Sequence, residues 1–240
     1  VRLAHGYAQL DRFDDAAAFY RQLLATDSTY RDQAVVDFLR MARRALARRD
    51  SARMTRALEE ALAVRPGVVP PDLVEPLALR YYGLGEYERA LPWLLAAESD
   101  ATTGERRTWW FRLGRAYEGL GQCREALDYL RRYLEAGVRG ERAPEARWYA
   151  GQCAYRLAQE ARAVGRPGEA LELLDLVVRF GSPPALVDEA WFDRGEILYA
   201  LARYDEALAA YRQVLELNPS RTGRLVRQAE DRIRAIRFRP

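Results

Sequence analysis

The 240-residue chain contains no lysine, one histidine, one asparagine and two cysteines. Its histidine, His5, has no cysteine near it in sequence, so the chain offers neither a His-dependent catalytic triad nor a set of zinc ligands. We expect His5 to be a surface or packing residue. The sequence also lacks a Gly-rich loop of the kind that cradles phosphate. We therefore predict a protein that is not an enzyme and that holds no cofactor or metal.

Long apolar runs are also missing from the sequence. No stretch approaches the ~18 residues that a membrane-spanning helix needs. The chain begins at Val1, without a methionine and already inside a helical pattern. We expect further sequence upstream, so a signal peptide or lipid anchor cannot be judged and the compartment, cytoplasmic or periplasmic, stays open.

Every basic residue is an arginine, and the formal net charge is +3. Together with abundant alanine and leucine, this usage indicates GC-rich codons and hence a bacterium. A modest positive charge does not by itself indicate nucleic-acid binding. Hydrophobic residues make up 49% of the chain and charged residues 30%, which fits a soluble, mostly helical protein.

The two cysteines, Cys123 and Cys153, are too few for a disulfide framework and lack CxxC spacing. Two interpretations stay open. In the first they are free, buried residues on repeat helices. In the second they form a bridge between adjacent helices, which would favour an oxidising compartment.

A pattern of aromatic and small residues between 191 and 219 predicts two helices joined by a short break. Trp191, Gly195 and Leu198 recur three to four residues apart, so they share one helical face. The face of the second helix comprises Tyr204, Ala207, Leu208, Tyr211, Val214 and Leu215. Small residues at the crossing let two helices approach to roughly 8 Å, and Pro219 ends the unit.

The same pattern recurs along the chain and is most complete around residue 110. Its residues there are Trp110, Leu113, Gly114, Tyr117, Ala126 and Leu130. They resemble the tetratricopeptide repeat, whose signature is W-x2-L-G-x2-Y, then A-x3-F and a closing proline. The resemblance implies an all-α fold, a right-handed superhelical α-solenoid of about six helix-turn-helix repeats plus a C-terminal capping helix.

The resemblance divides the chain, taken as one domain from 1 to 240, into successive repeats. We expect them at about residues 1–30, 33–66, 72–100, 106–137, 144–181 and 188–219. The spacing is regular except in the fifth repeat, where Ala170 arrives about seven residues late, or two helical turns. We therefore predict a first helix lengthened from Pro144 to about Val164, with Ala150-Gly151 in the place of the Leu-Gly step.

After residue 221, apolar and charged residues fall on opposite sides of one helical pattern. The apolar side comprises Leu225, Ala229, Ile233 and Ile236. A repeat array needs a half-polar helix to cover its last apolar face. We therefore predict a capping helix at about residues 221–237.

In the family, the first helices of successive repeats line a concave inner wall, which implies a binding groove. The residues implied at that wall are Leu39, Arg43, Leu79, Tyr82, Phe111, Arg112, Arg115, Trp148, Gln152, Tyr155, Phe192, Glu196 and Tyr199. Aromatic residues are enriched at binding hot spots, and Arg112 and Arg115 are able to fork onto a carboxylate. We expect a groove for an extended or helical peptide. The alternative is that the same aromatic side chains pack in the core.

The second repeat is rich in arginine. It carries Arg31, Arg40, Arg43, Arg44, Arg48, Arg49, Arg53 and Arg56, against Asp32, Asp37 and Asp50. In one interpretation this patch holds phosphates or an acidic protein, and in the other it is a solvated helix face. Because no aromatic residues for base stacking are interleaved with these arginines, we expect no nucleic-acid binding.

The resemblance implies a protein-interaction scaffold whose partner is a protein or peptide of unknown identity, in a chain or complex larger than these residues. Residues 187–220 also look like the repeats of outer-membrane assembly lipoproteins. The alternative is therefore a periplasmic or outer-membrane-associated assembly factor, and a helical-repeat enzyme or nucleic-acid binder is the third hypothesis. The family's carboxylate clamp for chaperone tails is not expected, because it uses inward Lys and Asn residues.

Overall fold

The computed structural model describes residues 1–102, 104–137 and 142–238, and in this part of the chain there are helices but no strand. The thirteen α-helices of the described residues are α1 (Arg2–Gln9), α2 (Phe13–Thr26), α3 (Arg31–Ala47), α4 (Ser51–Val64), α5 (Pro71–Gly83), α6 (Tyr87–Asp100), α7 (Arg106–Gly119), α8 (Cys123–Glu135), α9 (Ala143–Ala163), α10 (Pro167–Phe180), α11 (Pro184–Ala200), α12 (Tyr204–Leu217) and α13 (Arg224–Arg237). A short 3-10 helix, Ser28–Tyr30, lies between α2 and α3. The predicted all-α fold is confirmed.

Helices α1 to α12 pair in chain order as helical hairpins, each joined by a three-residue turn. The middle residue of each turn, called the turn residue below, has a left-handed backbone with φ between 59° and 74°. The turn residues are Asp11, Arg49, Gly85, Gly121, Gly165 and Ala202. In each turn the next residue donates its amide to the carbonyl five residues earlier, as Arg203 does to Leu198 at 2.9 Å. This bond ends the first helix in the same way whether or not glycine is present.

Counting from the turn residue reveals how the two helices of a hairpin fit together. Seven residues before it lies a buried alanine or glycine: Ala4, Ala42, Ala78, Gly114, Ala158 and Gly195. Nine residues after it lies a buried large side chain: Tyr20, Leu58, Leu94, Leu130, Leu174 and Tyr211. A Cβ on Gly114 would lie 2.6 Å from Leu130 Cγ, and one on Gly195 would lie 2.5 Å from the Tyr211 ring. The small residue therefore makes room for the large one, as the spacing predicts.

Helix α9 is lengthened as predicted and spans Ala143–Ala163. The predicted role of the Ala150-Gly151 pair is wrong, because Ala158 holds the small-residue position of this hairpin. A Cβ on Gly151 would lie 1.8 Å from the carbonyl oxygen of Ser182, in the connector between α10 and α11. The extra turns therefore lie at the N-terminal end of α9, where Gly151 allows the close approach of that connector.

The chain separates into two compact units, Val1–Ala101 (unit one) and Thr102–Pro240 (unit two). In unit two, α13 packs on α12 as the predicted capping helix, with Val226, Ala229 and Ile233 buried. Leu225 and Ile236 are partly buried against the same core. Whether all the hairpins form one array of family repeats stays a prediction.

Candidate functional site

A cavity of about 250 Å³ lies between α9, α11 and α13 in unit two, and we call it the α13 cavity. It is lined by Tyr155, Glu189, Phe192, Asp193, Arg224, Leu225 and Gln228. Tyr155 and Phe192 each lie ten residues before the turn residue of their hairpin. The repeat itself therefore brings these two sequence-predicted groove residues into one place.

The Asp193 carboxylate organises the Tyr155 side of the α13 cavity. It accepts hydrogen bonds from the Tyr155 hydroxyl at 2.9 Å, from Gln159 Nε2 at 2.6 Å and from Arg162 Nη1 at 3.1 Å. Burial first, and then the carboxylates of Asp193 and Glu189, raise the pKa of Tyr155 above its ordinary value. The hydroxyl therefore stays a donor, and its hydrogen bond to Asp193 fixes the direction of the ring.

The Phe192 ring forms the apolar part of the cavity. It packs against the buried Tyr211 ring, with centroids 5.7 Å apart, so its orientation is set by the core of the last hairpin. The cavity around the ring is also lined by the Glu189 carboxylate on α11 and by the exposed Arg224 and Gln228 side chains on α13. One anchored ring surrounded by a carboxylate, a guanidinium and an amide group is suited to holding a polar ligand that carries an apolar group.

Two further residues predicted at the groove are engaged inside unit two. Phe111 is 2% exposed and belongs to the core, so the prediction that it lines a groove is wrong. Arg115 pairs with Glu118 on its own helix and lies over the Tyr149 ring, 3.7 Å from the centroid. Its guanidinium therefore already has a carboxylate, and its predicted fork onto a partner's carboxylate is not available in this arrangement.

Trp148, Gln152 and Arg112 also lie away from the α13 cavity. Trp148 is 40% exposed and Gln152 is half-buried, both in the N-terminal extension of α9. They match groove positions only if Gly151 is the small residue of the hairpin, and Ala158 takes that place instead. Arg112 lies over the Trp109 ring, 4.9 Å from its centroid.

Glu196, predicted at the groove, holds the capping helix instead. Arg232 on α13 donates to it through Nε and Nη2, both at 2.7 Å, and the Tyr211 hydroxyl donates at 2.6 Å. Burial acts to raise the pKa of Glu196, but the hydrogen bonds from Arg232 and Tyr211 outweigh burial and the pKa lies below its ordinary value. Tyr199 packs against Tyr204 of the same hairpin, with ring centroids 5.6 Å apart.

The predicted groove residues of unit one also contact their neighbours. Arg43 donates through Nε and Nη2 to the Asp72 carboxylate at 2.8 and 3.0 Å, which joins α3 to the start of α5. Tyr82 packs against Tyr87 across the turn of its hairpin, with centroids 5.8 Å apart. Leu39 is buried. These three side chains contact other residues of unit one, whereas Leu79, the remaining residue predicted at the groove in this unit, lines a cavity there.

The arginine patch of the second hairpin is largely a seam between hairpins. Arg48 pairs with Asp11 and Arg56 pairs with Asp14, both on the preceding hairpin. Arg44 donates to two carbonyl oxygens at the end of α1, at 3.0 and 3.3 Å. Because these arginines contact the preceding hairpin, the patch is not a purely solvated face, and the interpretation as a phosphate site stays a prediction.

A buried carboxylate, Asp37 on α3, is a feature that the sequence reasoning missed. Its side chain is 0% exposed, and it accepts hydrogen bonds from the Tyr20 hydroxyl and, at 3.1 Å, from Arg40 Nη1. The Nδ1 atom of His5 lies 2.8 Å from Asp37 Oδ2. Burial first, and then Asp37, raise the pKa of Tyr20. The sequence signal for this burial is that Asp37 lies three residues after Ala34, on the apolar face of α3.

Among the described residues, no group of three or more His, Cys, Asp or Glu side chains is placed to hold a metal ion. Of the helices in the same part of the chain, none is both long and apolar enough to cross a membrane. Cys123 and Cys153 are free and buried on α8 and α9, in agreement with the first interpretation of the two cysteines.

Solved structures that are similar to the chain share low sequence identity with it. YrrB, a TPR protein with an unusual peptide-binding site, is 20% identical with a TM-score of 0.38, over 89% of this chain and 98% of YrrB. A chain of Naa15/Naa10 bound to HypK-THB is 18% identical with a TM-score of 0.45, over 99% of this chain and 33% of that one. The type IV pilus biogenesis factor PilW is 17% identical with a TM-score of 0.36, over 95% of this chain and 96% of that one. At these values the likenesses carry no argument about what this chain binds.

Models of known protein families match several of the helical hairpins. Three models, each described as a tetratricopeptide repeat, match residues 1–34, 76–136, 111–157 and 188–221, together more than half of the chain. No curated protein matches the chain. The matched residues include the hairpins in which Gly114 and Gly195 admit a large side chain from the facing helix. The chain belongs to the tetratricopeptide repeat family.

Proposed function

We propose that this protein is a non-enzymatic interaction scaffold that binds a protein or peptide through the α13 cavity and the adjoining face of α9, α11 and α13. The α13 cavity carries the proposal, because Tyr155 and Phe192 meet there from the same position of two successive hairpins. Repeat proteins of this kind use the surface formed by successive units for binding.

The rigidity of the site supports this proposal. Tyr155 is held by Asp193, and the Phe192 ring by Tyr211. The third wall, α13, is joined to α11 by the paired hydrogen bonds between Arg232 and Glu196. A surface whose side chains are already oriented loses little conformational entropy on binding, so more of its contact free energy remains as affinity.

The side chains that line the α13 cavity indicate which groups a partner needs. An apolar side chain of the partner packs on Phe192, while its main chain and polar groups find donors and acceptors at Glu189, Arg224 and Gln228. Anchored aromatic rings with a polar rim are typical of protein-binding surfaces.

A photo-crosslinking experiment in living cells tests the proposal. A photoreactive amino acid replaces Gln228, which lines the cavity, and in a matched control it replaces the exposed Ala209 on α12. We expect an adduct with one protein from position 228 and none from 209. The substitution Gln228→Glu, which leaves the core unchanged, and the substitution Phe192→Ala are then measured with the purified partner.

For Phe192→Ala we expect binding to weaken about tenfold or more, as at an interface hot spot. Ala209→Ser should leave the Kd unchanged, and thermal melts of all variants verify that they are folded. Equal adducts from positions 228 and 209, or an unchanged Kd for both cavity variants, would contradict the proposal. The identity of the captured protein also tests the alternative of a cell-envelope assembly factor, which rests on the resemblance of residues 187–220 alone.

A further inference from the structure

Unit one contains a second cavity, of about 380 Å³, between the turn that joins α3 to α4 and the helix α5. We call it the Arg80 cavity. Its apolar wall comprises Leu46, Met54, Pro76 and Leu79, and Ser51 and Arg80 contribute polar groups. It shares no residue with the α13 cavity. Arg80 is the charged residue of the lining, so the cavity combines an apolar surface with one positive charge.

The guanidinium of Arg80 has a polar atom without an acceptor. Its Nε atom is buried from solvent and has no hydrogen-bond partner among the described residues. Elsewhere in unit one, Arg43 and Arg89 direct their guanidinium groups onto the carboxylates of Asp72 and Glu59. A buried donor that lacks an acceptor destabilises the arrangement in which it occurs, so a rearrangement of the side chain that brings Nε to an acceptor is favoured.

We propose that the Arg80 cavity binds an acidic side chain of a protein partner, with an apolar side chain next to it in the partner's sequence. When the Arg80 side chain turns so that Nε faces the cavity, the carboxylate supplies its acceptor and neutralises the guanidinium charge. The apolar neighbour packs on Leu46, Met54 and Leu79. Charge complementarity identifies the occupant, because a basic or neutral segment would leave the Nε–H group without a charged acceptor. The site is independent of the α13 cavity and of the partner proposed there.

The test uses the full chain and four acetylated, amidated hexapeptides that are identical except at their two central residues, Glu-Leu, Gln-Leu, Glu-Ser and Lys-Leu. Binding is followed by nuclear magnetic resonance through the Nε–H signal of Arg80 in the ¹⁵N-labelled protein. We expect the Glu-Leu peptide to shift this signal and to bind about tenfold more tightly than the Gln-Leu peptide, because a hydrogen bond to a charged group is the stronger one. The Glu-Ser and Lys-Leu peptides should also bind more weakly.

The variant Arg80→Met keeps the aliphatic part of the side chain and removes the guanidinium. It should abolish the preference for Glu-Leu over Gln-Leu, whereas the matched control Arg31→Met, on the exposed start of α3, should retain it. The comparison of peptides on the unchanged protein holds even if Arg80→Met fails to fold. Equal binding of the Glu-Leu and Gln-Leu peptides, no binding by any of the four, or a preference that survives Arg80→Met would overturn the proposal. None of these results bears on the α13 cavity.

Discussion

Tyr20 in unit one and Tyr211 in unit two hold the same position in their hairpins, yet their hydroxyl groups are bound in different ways. Tyr20 donates to Asp37, which lies on the next hairpin and whose side chain is 0% exposed. Tyr211 donates to Glu196, which lies on its own hairpin and whose side chain is 17% exposed. The first pair joins two hairpins. The second lies beside Arg232 and so contributes to holding the capping helix.

The two carboxylates differ in the side chains that donate to them and in their exposure to solvent. Besides the bond from Tyr20, Asp37 accepts one hydrogen bond at 3.1 Å from the partly exposed Arg40, and its Oδ2 lies 2.8 Å from Nδ1 of His5. Glu196 receives two at 2.7 Å from Arg232. Removing a fully buried carboxylate leaves its donors without a replacement acceptor, whereas water can reach the position that a partly exposed carboxylate leaves. The same repeat position therefore supports two carboxylates whose loss should cost different amounts of stability.

The largest expected effect is at Asp37. Asp37→Ala leaves the buried Tyr20 hydroxyl without its acceptor and should lower the free energy of unfolding by about 3 kcal/mol. Urea unfolding followed by circular dichroism measures it. Asp32→Ala, on the exposed start of the same helix, should change stability by less than about 1 kcal/mol. Equal losses of unfolding free energy for the two variants would show that the buried Asp37 carboxylate stabilises the protein no more than an exposed one.

The small residues that face the two tyrosines sharpen the comparison further. Tyr20 faces Ala4, whereas Tyr211 faces Gly195, where an added Cβ would lie 2.5 Å from the ring. Gly195→Ala should therefore overpack the last hairpin and cost about 2 kcal/mol. Gly168→Ala, at a helical glycine with no atom within 4 Å of the added Cβ, should stabilise by up to about 1 kcal/mol. Thermal unfolding distinguishes the two, and a shift of the same sign in both would contradict the packing argument.

The pair in unit two should depend on pH. Because the pKa of Glu196 is lowered on folding, its stabilisation is fully present above its unfolded pKa of about 4.3 and is lost as the pH falls through the folded pKa. Glu196→Gln should lower the free energy of unfolding by about 1 kcal/mol at pH 7. It should also remove the loss of stability at acid pH that comes from protonation of Glu196. Urea titrations at pH 7, 5 and 3.5 measure it, with Glu172→Gln on the exposed face of α10 as the control. A variant that keeps the full acid dependence would exclude Glu196 as its source.

The smallest expected effects are at the turns of the hairpins that contain Asp37 and Glu196. Arg49 and Ala202 have left-handed backbones at φ 60° and 59°, which side chains with a Cβ adopt at a cost. Arg49→Gly and Ala202→Gly should each stabilise the protein by about 0.5–1 kcal/mol. Gly121→Ala, at the equivalent turn where φ is 74°, should destabilise it. Differential scanning calorimetry of the three variants tests the signs, and a melting temperature lowered by both glycine substitutions would contradict the argument.

Much of the fold is predictable from local spacing. The hairpins, the lengthened α9 and the capping helix all follow from apolar residues that recur at helical period and from stops such as Pro219. The candidate site is predictable only in part. Tyr155 and Phe192 both line the α13 cavity because each lies ten residues before the turn residue of its hairpin, although the prediction counted Tyr155 from Gly151. Trp148 and Gln152, which were counted from the same Gly151, lie away from that cavity. Sequence alone does not show whether Gly151 or Ala158 is the small residue of this hairpin, since the two lie two helical turns apart on the same helix.

The sequence by itself determined that this chain forms paired helices with a small residue facing a large one, because period and side-chain size act within a single hairpin. Tertiary structure alone decided which polar groups are buried. Asp37 is buried because Tyr20, on the preceding hairpin, lies against it, and Glu196 turns toward Arg232 on α13 and away from the α13 cavity. Whether a charged residue faces solvent, a neighbour or a partner depends on the next hairpin, and the periodicity of its own helix contains no information about that contact.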